Sequence, residues 1–377
     1  MDTSFKQELE QWPRARIETL IAEARPSDVE AALAREERTL YDLAALLSPH
    51  ARAMLEPIAR EAQRLTRWHF GRTIGLYVPI YLSNVCAADC LYCGFAARSG
   101  STLKRVTLSP DEIRQECEAL SAHGFQSVLL LTGEAPRVTP VDYLAEAVAI
   151  AREYFASVAI EVYALEREEY EVLCRSGLEG VTLYIETYDP EVYAKVHPAG
   201  LKRDYERRLT ALEHAGAAGV RRLNLGVLLG LSDWRAEGFW MALDARRLQK
   251  QCWQSAVAIS FPRLRHAPAR FAIPAPVTDA ELVQLMLALR LFLPEAGFTL
   301  STRESASLRD RLIPLGATLM SAGSSTRPRG YATCGADTLD QFEIEDTRSP
   351  EEVAQAIRRA GYEPVWKDFD HGFVSAQ

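Results

Sequence analysis

Three cysteines fall within eight residues, and Cys86-Ala87-Ala88-Asp89-Cys90-Leu91-Tyr92-Cys93 has the spacing C-x3-C-x2-C. Thiolates are soft ligands that select iron–sulfur clusters or zinc. A structural zinc site is closed by four ligands, and a simple cluster is usually held by four cysteines. Here the loop offers no fourth Cys or His. Three ligands leave one coordination position open, which is what a catalytic metal needs. Two blander readings compete: a structural zinc borrowing a distant ligand, with His69 and Cys117 the nearest candidates, or three unrelated thiols. The chain has seven cysteines, an odd number with one tight cluster. That pattern argues against a disulfide framework and for a cytoplasmic chain with a metal site.

The triplet must be positioned by the elements around it. From Tyr77 onward, short apolar runs rich in β-branched and aromatic residues alternate with amphipathic stretches. The runs are Tyr77–Ser83, Ser127–Gly133, Ser157–Leu165, Gly180–Tyr188, Val220–Gly230, Ser255–Arg265, Phe298–Ser305 and Ala317–Gly323. Being apolar throughout, they suit parallel strands buried on both faces. Eight βα units over about 250 residues predict an α/β fold, a (β/α)8 TIM-type barrel. A doubly wound sheet fits the same alternation but has fewer strands and a Gly-rich first turn. The cysteines then sit on the loop after the first strand, at the C-terminal mouth where barrel active sites gather.

Residues 1–70 read as a helical extension packed on the barrel. Ser27-Asp28-Val29-Glu30 has the form of a capping box, and Ser48-Pro49 opens a helix carrying Met54, Leu55, Ile58, Ala62 and Leu65 at helical spacing. Ser109-Pro110-Asp111-Glu112 starts a barrel helix that ends at Gly124. Residues 71–330 form the expected barrel. Residues 331–377 form a C-terminal segment whose closing helix runs from Ser349-Pro350-Glu351-Glu352 to Gly361.

Composition removes several function classes. The 377 residues are 48% hydrophobic and 25% charged, too apolar for a disordered chain. With 43 Lys+Arg against 51 Asp+Glu the net charge is −8, which argues against a generic nucleic-acid binder. No apolar run approaches the roughly 18 residues of a membrane span. The N-terminus lacks a signal peptide's apolar stretch, so a cytoplasmic location is expected.

The triplet, with Tyr92 just before its last cysteine, resembles the signature of the radical S-adenosylmethionine (SAM) enzymes. The likeness extends to one family within them, the tyrosine lyases (2-iminoacetate synthases) of bacterial thiamine biosynthesis. It is carried by Tyr77-Val78-Pro79-Ile80-Tyr81-Leu82-Ser83-Asn84, Tyr92-Cys93-Gly94-Phe95, Leu131-Thr132-Gly133-Glu134 and Tyr184-Ile185-Glu186-Thr187-Tyr188. Gly226-Val227-Leu228-Leu229-Gly230-Leu231-Ser232-Asp233, Ser260-Phe261-Pro262-Arg263-Leu264-Arg265, Ser301-Thr302-Arg303-Glu304, Gly330-Tyr331-Ala332 and Trp366-Lys367-Asp368 complete it.

The resemblance implies one [4Fe–4S] cluster on Cys86, Cys90 and Cys93, with SAM on the fourth iron beside Tyr92. It implies that Thr132, Gly133 and Glu134 meet the SAM amino group, Glu186 the ribose and Arg208 the SAM carboxylate. Gly226 and Gly230 would admit the adenine, although strand–helix packing explains such glycines equally well. Arg303 would hold the substrate carboxylate, with Ser321 and Tyr81 near the substrate amine. Arg263 and Arg265 share a face by period two, and Arg263 is a further candidate for SAM or substrate.

The implied reaction is cleavage of L-tyrosine at Cα–Cβ to 2-iminoacetate and p-cresol, with SAM cleaved to 5′-deoxyadenosine and methionine. Its implied partners are a flavodoxin- or ferredoxin-like electron donor and a thiazole synthase. A relative that matures hydrogenase carries a second cluster on C-terminal cysteines. Cys117, Cys174, Cys252 and Cys334 are too scattered to form one. A tryptophan lyase and, from a different class, a non-catalytic zinc-stabilised barrel remain as alternatives.

Overall fold

The computed structural model describes residues 5–265, 271–333 and 338–368. Eight parallel strands close into a barrel: β1 Thr73–Ser83, β2 Ser127–Thr132, β3 Ser157–Glu161, β4 Gly180–Glu186, β5 Arg222–Val227, β6 Ala256–Ser260, β7 Gly297–Leu300 and β8 Leu319–Ser321. Each pairs with the next, and β1 closes the ring by pairing with both β2 and β8. All eight lie within or across the apolar runs of the sequence.

Period two sorts the strand side chains. On β1, Ile74, Leu76, Val78, Ile80 and Leu82 point outward into the main core, while Tyr77 and Tyr81 join an inner cluster with Leu129, Leu131 and Ala159. The register sets Tyr81 opposite Leu131 and Leu131 opposite Glu161, so these three occupy one inner layer near the mouth. Such layering is how a barrel of this size fills its interior.

The outer ring begins with Pro110–Ser121, where Ser109 caps its free amide end and Glu112 bonds back to the Ser109 N–H at 2.8 Å. Gly124 follows with φ +85°, a left-handed conformation that favours glycine. The segment Pro350–Arg359 starts in the same way on Ser349.

Two N-terminal readings are corrected. Ser27 is not a cap: the helix Pro26–Ala34 has Arg25 at its N-cap and Pro26 in the first turn, and Asp28 accepts from the Arg25 N–H at 2.8 Å. Proline's fixed φ sets this start one residue earlier than the serine suggests. Ser48-Pro49 opens a 3-10 turn, Pro49–Met54, and the α-helix begins at Leu55 and runs to Phe70. Ile58, Ala62 and Leu65 of that helix are buried. The preceding helix Leu40–Leu47 is buried almost all round, as its apolar sequence requires, between Trp234–Gln251 and Asp279–Phe292. A short strand that the sequence pattern does not announce, β9 Glu363–Val365, pairs with the first residues of β1 on the edge opposite β8.

Candidate active site

The cysteine loop leaves β1 at Ser83 and returns at Thr107, where the two residues form an antiparallel bridge. Arg105 organises it, donating to the carbonyls of Asn84 (2.6 Å), Phe95 (2.8 Å) and Ala96 (2.9 Å). Asn84 Oδ1 in turn accepts from the Val106 N–H at 2.6 Å. Close approaches hold the loop to its surroundings. A Cβ on Gly133 would lie 2.3 Å from the Val85 carbonyl oxygen, and one on Gly94 2.7 Å from that of Asp340. A side chain at Gly133 would displace the cysteine loop, so that glycine serves the loop's position.

Cys90 is buried and Cys86 and Cys93 are half-buried; all three are free thiols. Burial raises each thiol, and Cys90 and Cys93 would also feel charge on their neighbours. Backbone near Ala88 and Glu134 favours a Cys86 thiolate, and backbone near Phe95 favours one on Cys93. Metal binding takes such ligands as thiolates. Among the described residues, no three His, Cys, Asp or Glu side chains converge closely enough to share one metal ion. Ligands of a cluster bind separate irons and need no such convergence. The two distant candidates stand apart: His69 is exposed at the end of the helix before β1, and Cys117 is buried on the outer helix Pro110–Ser121.

Beside Tyr92 and Cys93 opens a cavity of about 380 Å³, walled also by Glu186, Lys202 and Leu228. Tyr92 is fixed by a 2.8 Å hydrogen bond to His197 Nε2, and burial keeps that imidazole neutral by pushing its pKa down to about 3. Glu186 ends β4 at φ +73°, in the left-handed region that a non-glycine residue adopts at a cost. The register of β4 against β5 shifts between Tyr184 and Glu186, which accommodates that bend.

Four charges alternate here: Glu186 and Lys202 line the cavity, and Glu134 and Arg208 adjoin them. Arg208 Nη1 donates to Glu134 at 2.6 Å and Nη2 lies 3.6 Å from Glu186, while Lys202 donates to Glu186 at 2.6 Å. Arg208 Nε also donates to the Tyr184 carbonyl at 2.8 Å. Burial pushes the Glu186 carboxyl upward, but Lys202 and Arg208 outweigh it and hold it below the usual range. Thr132 Oγ1 is buried beneath the same mouth with no hydrogen-bond partner.

A second cavity of about 50 Å³ lies inside the barrel, lined by Tyr77, Tyr81, Ser321 and Thr299 among others. The two cavities share Glu161, Tyr184, Pro262, Arg303, Gln341 and Phe342. Tyr81 donates to Gln341 Oε1 at 2.6 Å, and the Arg303 guanidinium lies 3.4 Å from the Phe342 ring centroid. Ser321 Oγ is buried without a partner. The structure therefore brings Tyr81, Arg303 and Ser321 to one pocket.

Three of the candidates lie elsewhere. Arg263 is buried outside both cavities and its donors are engaged: Nε with Glu304 at 2.9 Å, Nη1 with the Val277 carbonyl at 2.8 Å, and Nη2 with Asp279 at 2.7 Å. It braces the loop after β6, with Arg265 Nη1 on the same Glu304 at 3.2 Å. Gly226 is filled over by packing, since a Cβ there would meet the Ser260 carbonyl oxygen at 2.8 Å and the Tyr184 ring at 2.9 Å. Gly230 has φ +116°, so its backbone conformation accounts for the glycine.

Sequence reasoning passed over Glu161, Lys202, Gln341 and Arg105. Glu161 carried a usable signal: it is a charged residue near the end of an apolar run, as Glu186 is.

Comparison with known proteins agrees with this geometry. Residues 80–244 match the radical SAM superfamily, and residues 260–363 match the Biotin and Thiamin Synthesis associated domain. The 2-iminoacetate synthases of Salmonella typhimurium and Escherichia coli are each 44% identical over 345 residues, covering 91% of this chain and 91% of theirs. The chain belongs to the 2-iminoacetate synthase family. It is thus a radical SAM enzyme, and that membership implies an iron–sulfur cluster and SAM. The crystal structure of HydG, a maturase of the [FeFe]-hydrogenase, superposes with a TM-score of 0.87 at 29% identity, covering 96% of this chain and 83% of that one. Cys117 and Cys174 lie on helices of the outer ring and Cys252 just past the end of a third, while Cys334 lies outside the described residues. No helix among the described residues is long and apolar enough to cross a membrane.

Proposed function

We propose that Cys86, Cys90 and Cys93 hold one [4Fe–4S] cluster, that SAM occupies the larger cavity, and that L-tyrosine binds where that cavity meets the inner one. The observation carrying this reading is the shared wall of Glu161, Tyr184, Arg303 and Gln341, which joins the cysteine loop to a pocket inside the barrel. The cluster and SAM, when bound, supply a 5′-deoxyadenosyl radical at that junction. The chain's own residues bind, orient and shield.

Glu134 and Arg208 offer an acceptor for the SAM amino group and a fork for its carboxylate, with Thr132 and Gly133 beside them. Glu186 faces the ribose, and Tyr92 flanks the cluster. Arg303 takes the tyrosine carboxylate as a bidentate pair, leaving Ser321 and Tyr81 close to the amine. Holding the reacting hydrogen against the radical carbon is an orientation effect, and the closed barrel keeps water away. The products are 2-iminoacetate, which feeds thiazole formation, and p-cresol. A flavodoxin- or ferredoxin-like protein supplies the electron, and a thiazole synthase takes the labile imine.

Anaerobic turnover of the reconstituted enzyme with reductant, SAM and each aromatic amino acid tests this reading. Tyrosine is expected to yield 5′-deoxyadenosine and p-cresol together. Deoxyadenosine without p-cresol, or product from tryptophan alone, overturns the assignment.

A further inference from the structure

Buried carboxylates in this barrel have partners. Glu134 has Arg208, Glu186 has Lys202, Glu304 has Arg263 and Glu179 has Arg221. Glu161, half-buried where the two cavities meet, differs: among the described residues no hydrogen bond or ion pair engages its carboxylate. It ends β3 on the inward parity, in the wall shared by both cavities. Arg303 stands in the same wall, and its guanidinium too has no carboxylate partner among the described residues.

An unpartnered charge inside a protein is costly, and each such case asks for an explanation. Here two opposite charges face one junction; they are not paired with each other, and among the described residues the Arg303 guanidinium rests only on the Phe342 ring. The missing partner is a molecule carrying both signs a bond or two apart, which is the head group of an α-amino acid. If its carboxylate goes to the Arg303 fork, its ammonium is left toward Glu161.

We propose that Glu161 binds the ammonium of the substrate amino acid and accepts its proton, so that the amine is neutral when hydrogen is abstracted. This rests on the lyase reading above. In the step, one N–H bond of the ammonium breaks with its electron pair staying on nitrogen, and an O–H bond forms on Glu161. Nothing is oxidised or reduced. The neutral amine carries a lone pair that can stabilise the nitrogen-centred radical left by hydrogen loss, which the ammonium lacks.

The surroundings suit a base working near neutral pH. Burial, and then the charge of Glu186 on β4, push the Glu161 carboxyl up to about 7 against Arg303, Arg208 and Lys202. Tyr77 and Tyr81 of β1 and Tyr184 of β4 also face it, each held neutral by burial.

The test compares L-tyrosine with 3-(4-hydroxyphenyl)propionic acid, which lacks only the amino group. Binding of each to reconstituted enzyme with SAM and no reductant is measured by equilibrium dialysis between pH 6 and 8.5. The wild-type protein is expected to prefer tyrosine by roughly 10- to 100-fold at pH 8, the range of one charge-assisted hydrogen bond. That preference should shrink below about pH 7, where Glu161 holds its own proton. Glu161→Gln should lose the preference while binding the analogue within about twofold of wild type, because its hydrogen-bonding surface is kept. In turnover, the Gln variant should gain roughly tenfold per pH unit toward the amine's own pKa, whereas wild type levels off above about pH 7.

Should the Gln variant fail to fold, Glu161→Asp and the wild-type pH series carry the test alone. An equal ratio at pH 6 and pH 8 in wild type, or an undiminished preference in the Gln variant, overturns the proposal. Wild-type enzyme that makes p-cresol with such an unchanged ratio defeats only the role of Glu161. Wild-type enzyme that makes no p-cresol defeats the lyase reading itself.

Discussion

The two walls of the reaction chamber handle charge in opposite ways. On the side proposed to hold the cofactor, Glu134, Arg208, Glu186 and Lys202 neutralise one another through contacts of 2.6 to 3.6 Å. On the side proposed to hold the substrate, Glu161 and Arg303 stand apart and open to the cavities. A paired wall is complete before any ligand arrives, and a ligand must exchange partners with it. An unpaired wall is held open by the rigid strands that carry it, and its ligand supplies the missing charges. The first arrangement satisfies its charges within the folded chain, whereas the second leaves a cost that, on the proposed reading, substrate relieves.

The largest expected effect lies ahead of both walls. Cys90→Ala removes a buried cysteine of the proposed cluster site and should reduce SAM cleavage to background, with loss of the cluster's absorbance near 400 nm. A variant that keeps both would remove the cysteine loop from the chemistry. Both walls would then lack the radical source they are read as flanking.

The paired wall breaks next. Arg208→Met leaves Glu134 without its partner and Glu186 with one cation fewer, so a loss of about 3–5 kcal/mol is expected in denaturant unfolding. Arg303→Met should behave differently. It removes a charge with no carboxylate partner, so stability should stay within about 1 kcal/mol, while tyrosine affinity falls roughly 10- to 100-fold. The cluster spectrum should not change. Equal destabilisation by both variants would erase the distinction between the walls.

The same distinction explains what could be read from sequence. The eight strands were legible because burial on both faces demands unbroken apolar runs, and runs such as Ser127–Thr132 leave little choice. The cysteine triplet was legible because its residue types are rare and closely spaced. Short or context-dependent features were not. β9 has three residues, one of them proline, and exists because β1 offers an open edge. Lys202 lies in a charged stretch that reads as a solvated face, and only the chain's path buries its amine against Glu186. Arg263 is the opposite case. The family resemblance and a face shared with Arg265 suggested a ligand contact, but Glu304 and Asp279 consume its fork. Linear spacing says where a charge sits along the chain, not whether another charge has already claimed it.

The smallest expected effect is a stability slope, and it separates the two walls through one residue type. Glu161 is raised in the folded protein from an ordinary 4.5 to about 7, by burial first and then by Glu186. Between those values the folded chain holds a proton that the unfolded chain has released. Stability should therefore fall as pH rises through that window, by up to about 3 kcal/mol once both states are ionised. Glu161→Gln abolishes this contribution. It should be more stable than wild type above about pH 7, by about 1–3 kcal/mol, and the difference should vanish toward pH 4.5. Glu186, on the neighbouring strand, has the opposite sign. Lys202 and Arg208 overcome its burial and lower its carboxyl, so its contribution is present above about pH 4.5 and is lost only as pH falls through its depressed value. Denaturant midpoints of wild type, Glu161→Gln and Glu186→Gln across pH 4 to 8.5 measure both slopes. Parallel slopes for the two variants would mean that Glu161 has a partner in solution after all, and that both walls are paired.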